Sequence, residues 1–181
     1  MNFLELADSR HSCRHFGGTP IEPDKMNRIY EAIRLAPSAG NLQAYAVRVA
    51  TDQKLKDALA MNAHNQKFIA DAPVVLVFFT VPVLSAAKYR DRGMHLYCVQ
   101  DATIACTYAH LAATDLGLSS CWVGAFDVYA VERCMNAHWS WRAVAMLPIG
   151  YSATNLLTSP PKSDKVQVYD SKSGYWLPRL F

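Results

Sequence analysis

The sequence has little net charge and no block of one sign: 18 Lys and Arg stand against 15 Asp and Glu, a balance of +3 over 181 residues. With no basic stretch interleaved with aromatics, a nucleic-acid partner is not expected. Apolar runs long enough to span a bilayer are also missing. The longest, 72–87, is broken by Pro73 and Pro82, and the uncharged stretch 143–161 carries Pro148, Gly150 and Asn155. Glu5 and Asp8 stand where a secretory signal would be basic and then apolar, which reads as a cytoplasmic chain. The five cysteines (Cys13, Cys98, Cys106, Cys121, Cys134) form no Cys-x-x-Cys pair and are odd in number. Reduced, buried thiols are expected rather than a disulfide framework. Neither Gly-x-Gly-x-x-Gly nor a P-loop is present, so Rossmann and P-loop nucleotide sites are not supported. No Ser-His-Asp order or nucleophile elbow can be assembled. His11-x-Cys13-x-His15 has metal-like spacing but no fourth ligand nearby, so no metal is expected.

What is there is a core. With 51% hydrophobic and 18% charged residues, the chain reads as one globular unit without repeats or internal linkers. Pro23 followed by Met26, Ile29, Tyr30 and Ile33 predicts an amphipathic helix stopped at Pro37. A strand is predicted at 45–49, helical spacing at 53–61, and a short second helix at 65–71. The run 74–80 is apolar throughout and rich in Val and Phe, the mark of a central strand covered on both faces; Pro82 after it suggests a turn. From 94 to 116 the chain is Ala-rich and free of Gly and Pro, ending at Gly117, a good C-cap. Its apolar residues cover more than one stripe, so this helix must be buried centrally or against a partner, with His110 as a satisfied core or interface residue. A strand at 120–123, a helix at 128–135 and a strand at 143–149 follow, and after Ser152 the periodicity ends.

Two stretches carry chemistry. In Arg10-His11-Ser12-Cys13-Arg14-His15-Phe16, two guanidiniums four apart flank a hydroxyl, behind an apolar segment (Phe3, Leu4, Leu6, Ala7) that could fix it against the core. Arg offers a rigid donor fork matched to phosphate, so this is an anion-binding arrangement or, alternatively, an exposed basic turn. In 36–45, small residues and the amides of Asn41 and Gln43 would let backbone approach a flat ligand; a plain helix-terminating loop is the alternative.

With these pieces laid out, the chain resembles the nitroreductase family of FMN-dependent oxidoreductases. The resemblance is carried by Arg10–Phe16, by Ala36-Pro-Ser-Ala-Gly-Asn-Leu-Gln43, by Asp71-Ala-Pro-Val-Val75, by Gly117-Leu-Ser-Ser-Cys-Trp-Val-Gly-Ala-Phe126 and by Ile149-Gly-Tyr151, in the family's order and spacing. It fades after Tyr151. What it implies is an α+β fold, a mostly antiparallel sheet flanked by helices, in an intertwined homodimer with two FMN sites at the subunit interface. Residues 1–151 would form the FMN-binding domain and 152–181 an arm over the partner.

By the same resemblance, Arg10 and Ser12 match positions that hold the FMN phosphate and ribityl chain, with His11 contributing backbone. Arg14 matches a basic position near the flavin N1–O2 edge, where a fixed cation favours the reduced form. Pro37, Ser38, Ala39 and Asn41 match the loop laid beside the flavin by the second subunit, with Gln43 close behind. Asn65 matches a position at the ring's polar edge, and Gly124 and Ala125 match the turn whose amides approach N5. Lys162 matches half of a C-terminal basic pair; the expected Arg position reads Asp164, which implies a weaker phosphate site. Ala44-Tyr45 stands where the family usually places an aromatic after Pro, which implies a differently shaped substrate pocket.

The implied activity is ping-pong transfer of hydride from NAD(P)H through flavin N5 to an electron-poor acceptor such as a nitroaromatic or quinone, with no side chain named as acid or base. A dedicated dehydrogenase- or dehalogenase-type reaction, or a flavin-binding module without turnover, are the alternatives.

Overall fold

A computed structural model of the protein describes residues 2–154. Lys162, Asp164 and the rest of the expected arm from 155 onward lie outside the described residues. Along the chain, helix α1 (Phe3–Ser9) precedes helix α2 (Pro23–Leu35), strand β1 (Tyr45–Ala50), helices α3 (Gln53–Asn62) and α4 (Phe68–Asp71), and strand β2 (Val74–Thr80). Then come helix α5 (Pro82–Arg92), a π-helical turn (Gly93–Tyr97), helix α6 (Cys98–Asp115), strand β3 (Ser119–Ser120), helix α7 (Val128–Cys134) and strand β4 (Arg142–Gly150).

The four strands form one antiparallel sheet in the order β1-β2-β4-β3. All seven residues of β2 are buried, as its unbroken apolar run predicts. Period-two alternation splits them between two cores. Val74, Leu76 and Phe78 pack with Ile29 and Ile33 of α2 and with Ala105 and Ala109 of α6. Val75, Val77 and Phe79 face Leu59 of α3 and Val131 of α7 on the other side. Each such large side chain contributes about 1.5–3 kcal/mol by leaving water, so the three layers are held from the centre outward.

Local signals explain the ends. Pro23 sits in the first turn of α2, Asp52 and Asp127 accept from the Leu55 and Ala130 amides to cap α3 and α7, and Gly117 closes α6 at φ 72°. Four expectations are corrected. Pro82 opens helix α5 rather than a turn, because a proline in the first helical turn forfeits no hydrogen bond. The helix expected from 94 begins with the π turn, and α6 proper starts at Cys98. The strand expected at 120–123 pairs only through Ser119 and Ser120, with Val123 making an isolated bridge to Met146. The helix expected over 65–71 is confined to α4, because His64 and Asn65 are left-handed at φ 56° and 59°. No helix of the described residues is long and apolar enough to cross a membrane.

Candidate active site

Arg10 is the C-cap of α1, its amide donating to the Leu6 carbonyl at 3.1 Å. The chain then runs beside β3: Ser12 forms a bridge with Ser120, and the Cys13 amide donates to the Ser120 carbonyl at 3.1 Å. What fixes this segment is not Phe3 and Leu4, which are exposed, but Cys13 and Phe16, which are buried with Ala72 against Phe68. With those two turned inward, Ser12, Arg14 and His15 face outward.

Arg14 is held with its guanidinium 5.9 Å from the Phe68 ring centre, a cation–π placement that carries it toward the turn containing Asn65. The next residue, Gln66, donates through Nε2 to the Ala125 carbonyl at 3.2 Å. Arg10, Ser12 and Arg14 thus lie on the segment that runs beside β3, Gln66 ties the turn after Asn65 to Ala125, and Gly124 and Ala125 are exposed. The described ion pairs, Lys25–Glu22 and Arg142–Glu132, lie elsewhere.

Beneath this edge two buried polar atoms have no hydrogen-bond partner among the described residues: Ser120 Oγ and His110 Nε2. Burial, aided by the Arg10 cation, pushes the His110 ring down to about 4, although the His11 carbonyl opposes the shift. The Cys121 thiol is pushed up by burial, while Arg14, a hydrogen bond from Ser12 and Arg10 pull the other way. Positive field from both arginines thus reaches the same spot, which suits an anion. Among the described residues no three His, Cys, Asp or Glu side chains form a metal-binding group.

Pro37, Ser38, Ala39, Asn41 and Gln43 lie at the other edge, in the loop leading to β1. Between that loop and Ser12 stand β1, β2, β4 and β3, four steps of about 4.8 Å or roughly 19 Å across the sheet. The loop's bonds run from the Gln43 amide to Ser38 Oγ (2.9 Å), from Gln43 Nε2 to the Arg34 carbonyl (2.9 Å) and from the Ala39 amide to Asp101 Oδ1 (2.8 Å). A cavity of about 550 Å³ opens beside it, lined in part by Pro37, Ser38, Ala39, Tyr97 and Asp101. Tyr89 and Lys88 close over Gly40: a Cβ there would stand 2.5 Å from Tyr89 Oη and 2.8 Å from Lys88 Nζ.

The predicted residues thus form two groups on one chain, and Lys162 is outside the described residues. Asp101, Ser120 and the unsatisfied nitrogen of His110 were not anticipated. Asp101 had a signal in sequence, being the one formally charged residue between 93 and 114.

The fold and these two groups define a three-layer α+β protein with a cationic, small-residue edge and a separate amide-rich loop. The model of the nitroreductase family matches residues 7–66 and 47–151, and the chain belongs to that family. MhqN of Bacillus subtilis (strain 168), named as an NAD(P)H nitroreductase, is 26% identical over 84% of this chain and 89% of its own. The FMN reductase [NAD(P)H] of the same organism is 31% identical over 66% of this chain and 52% of its own. The crystal structure of a nitroreductase family protein from Clostridium difficile 630 superposes with a TM-score of 0.79 at 28% identity, covering 93% of this chain and 94% of that one.

Proposed function

We propose that this protein is an FMN-dependent NAD(P)H oxidoreductase acting as a homodimer on small electron-poor acceptors such as nitroaromatics or quinones. The observation that carries the reading is the segment beside β3, where exposed Ser12 and Arg14 follow Arg10 and Ser12 bridges Ser120, whose hydroxyl has no partner among the described residues. A phosphate suits the two guanidinium forks, which have no ion pair among the described residues, together with the hydroxyl, and a flat ring suits a turn with no bulky side chain. Bound FMN would supply the electron chemistry, taking hydride from reduced nicotinamide and passing electrons on. The chain's own residues bind and orient it: Arg10 and Ser12 the phosphate end, Arg14 and Asn65 the polar ring edge.

The division of the predicted residues between two edges supports a dimer in which each copy offers its Pro37–Gln43 loop to the other's cationic edge. Exposed Phe3, Leu4, Val99 and Tyr108 would be covered by such pairing. Residues 152–181 would serve as an arm over the partner, with Lys162 supporting the phosphate.

The test is the visible spectrum of purified protein, identification of the released chromophore, and anaerobic addition of NADH or NADPH. About one FMN per chain, bleached by either nicotinamide, is expected. Protein that takes up no FMN, or FMN-loaded protein that neither nicotinamide reduces, sinks the reading.

A further inference from the structure

Three of the four residues 40–43 hold left-handed backbone: Gly40 at φ 58°, Asn41 at 57° and Gln43 at 48°. Outside glycine such conformations are costly and persist only where the surroundings over-determine them. Of the loop's bonds, that from the Gln43 amide reaches Ser38 within the loop and that from Gln43 Nε2 reaches Arg34 in the last turn of the preceding helix α2. One described bond from residues 37–43 reaches a distant element, the 2.8 Å donation from the Ala39 amide to Asp101 Oδ1 on α6.

Asp101 is itself anomalous. It is 2% exposed in an Ala-rich helix, its Oδ2 has no hydrogen-bond partner among the described residues, and neither described ion pair involves it. Burial raises its pKa, while the Ala39 and Ala44 amides favour the charged form. A core position asks for an apolar residue, since a buried carboxylate with one free oxygen costs stability. Something other than packing accounts for it.

We propose that Asp101 is a positioning residue: through the Ala39 amide it latches the strained loop 37–43 against α6, in the shape that receives FMN bound at the partner's cationic edge. The choice of ligand rests on the FMN-dependent reading above; the latch itself does not. Because the loop and Asp101 share the wall of the 550 Å³ cavity, slackening the latch lets the loop collapse into space the ligand needs.

The test compares Asp101→Ala, which removes the acceptor, with Asp101→Asn, which keeps an oxygen at the Oδ1 position. Amide hydrogen exchange is followed in peptides covering 37–44 of the intact dimer, and FMN affinity by titration. D101A is expected to speed exchange in that loop at least about tenfold and weaken FMN at least about tenfold, with the rest of the exchange map and the dimer unchanged. D101N is expected to restore both to within about threefold of wild type. Should D101A not fold, Asp101→Ser, whose hydroxyl is too short to reach the Ala39 amide, takes its place. Unchanged loop exchange, loosening spread equally over α2, α6 and β1, or an Asn variant as slack as the Ala variant each overturn the proposal. If wild-type protein takes up no FMN, the FMN reading fails, and the exchange comparison still decides the latch.

Discussion

The imidazole of His110 is buried against the segment carrying Arg10, and that cation, after burial itself, keeps the ring neutral. The folded-state value of about 4 lies below the ordinary 6.5, so the unfolded chain takes up the proton first. Stability from the neutral ring is therefore complete above pH 6.5 and is lost as pH falls toward 4. Between pH 7 and 4.5 the loss is roughly 2–3 kcal/mol from this group. Urea unfolding at the two pH values, on wild type and His110→Gln, isolates it: the variant should show a smaller acid loss by about that amount. An equal loss in both would mean that His110 titrates normally.

Gly93 stands where the π turn crosses the chain of α5. A Cβ there would run into the Ser85 carbonyl oxygen and lie 2.5 Å from its carbon, both backbone atoms that cannot swing away. Gly93→Ala is expected to destabilise the protein by about 1–3 kcal/mol, the usual cost of overpacking. Thermal melts check this, and an unchanged midpoint would mean that α5 and the turn part freely.

Much of this architecture was legible because the signals are local or periodic. The apolar run of β2, Pro23 opening α2 and Gly117 closing α6 each dictate their element through backbone chemistry alone, and each stands as read. Pro82 was misread because the same residue starts a helix or a turn, and the sequence beyond it, with Lys88, Arg90 and Arg92, has no clean stripe. Phe3 and Leu4 resemble an anchor in composition; in the fold Cys13 and Phe16 take that role, packed with Ala72 against Phe68, and their spacing of three matches no strand alternation that the sequence would show. Asp101 could not be paired from sequence, because its partner is a backbone amide 62 residues away.

Arg14 stands over the Phe68 ring and belongs to neither described ion pair, so its removal should act on the ligand and not on the fold. It is exposed, and its contact with the ring contributes little to stability. Arg14→Ala is expected to weaken FMN by about 10–100-fold, the worth of one charge-assisted interaction, with the melting temperature of the ligand-free protein nearly unchanged. Titration of ligand-free protein with FMN measures it, and wild-type affinity in the variant would remove Arg14 from the site.

A different route to the same loss runs through the exposed apolar residues. Phe3 is 68% and Leu4 77% exposed on α1, which packs on α6, where Val99 and Tyr108 are also exposed. Such residues, left open on a single chain, cost little in the monomer and become valuable only when a second copy covers them. Introducing charge there, as in Leu4→Asp combined with Val99→Asp, should leave the fold of each chain intact, because neither side chain touches the two buried cores. Light scattering should then read monomer where the dimer proposed above is expected of the wild type. FMN retention should fall with the dimer, since each copy would then keep a cationic edge with no loop laid against it. That pattern is distinct from Arg14→Ala, where ligand is lost while the dimer persists. A charged variant that stays dimeric places the interface elsewhere, and a monomer that holds FMN as tightly as wild type means that one chain suffices for the site.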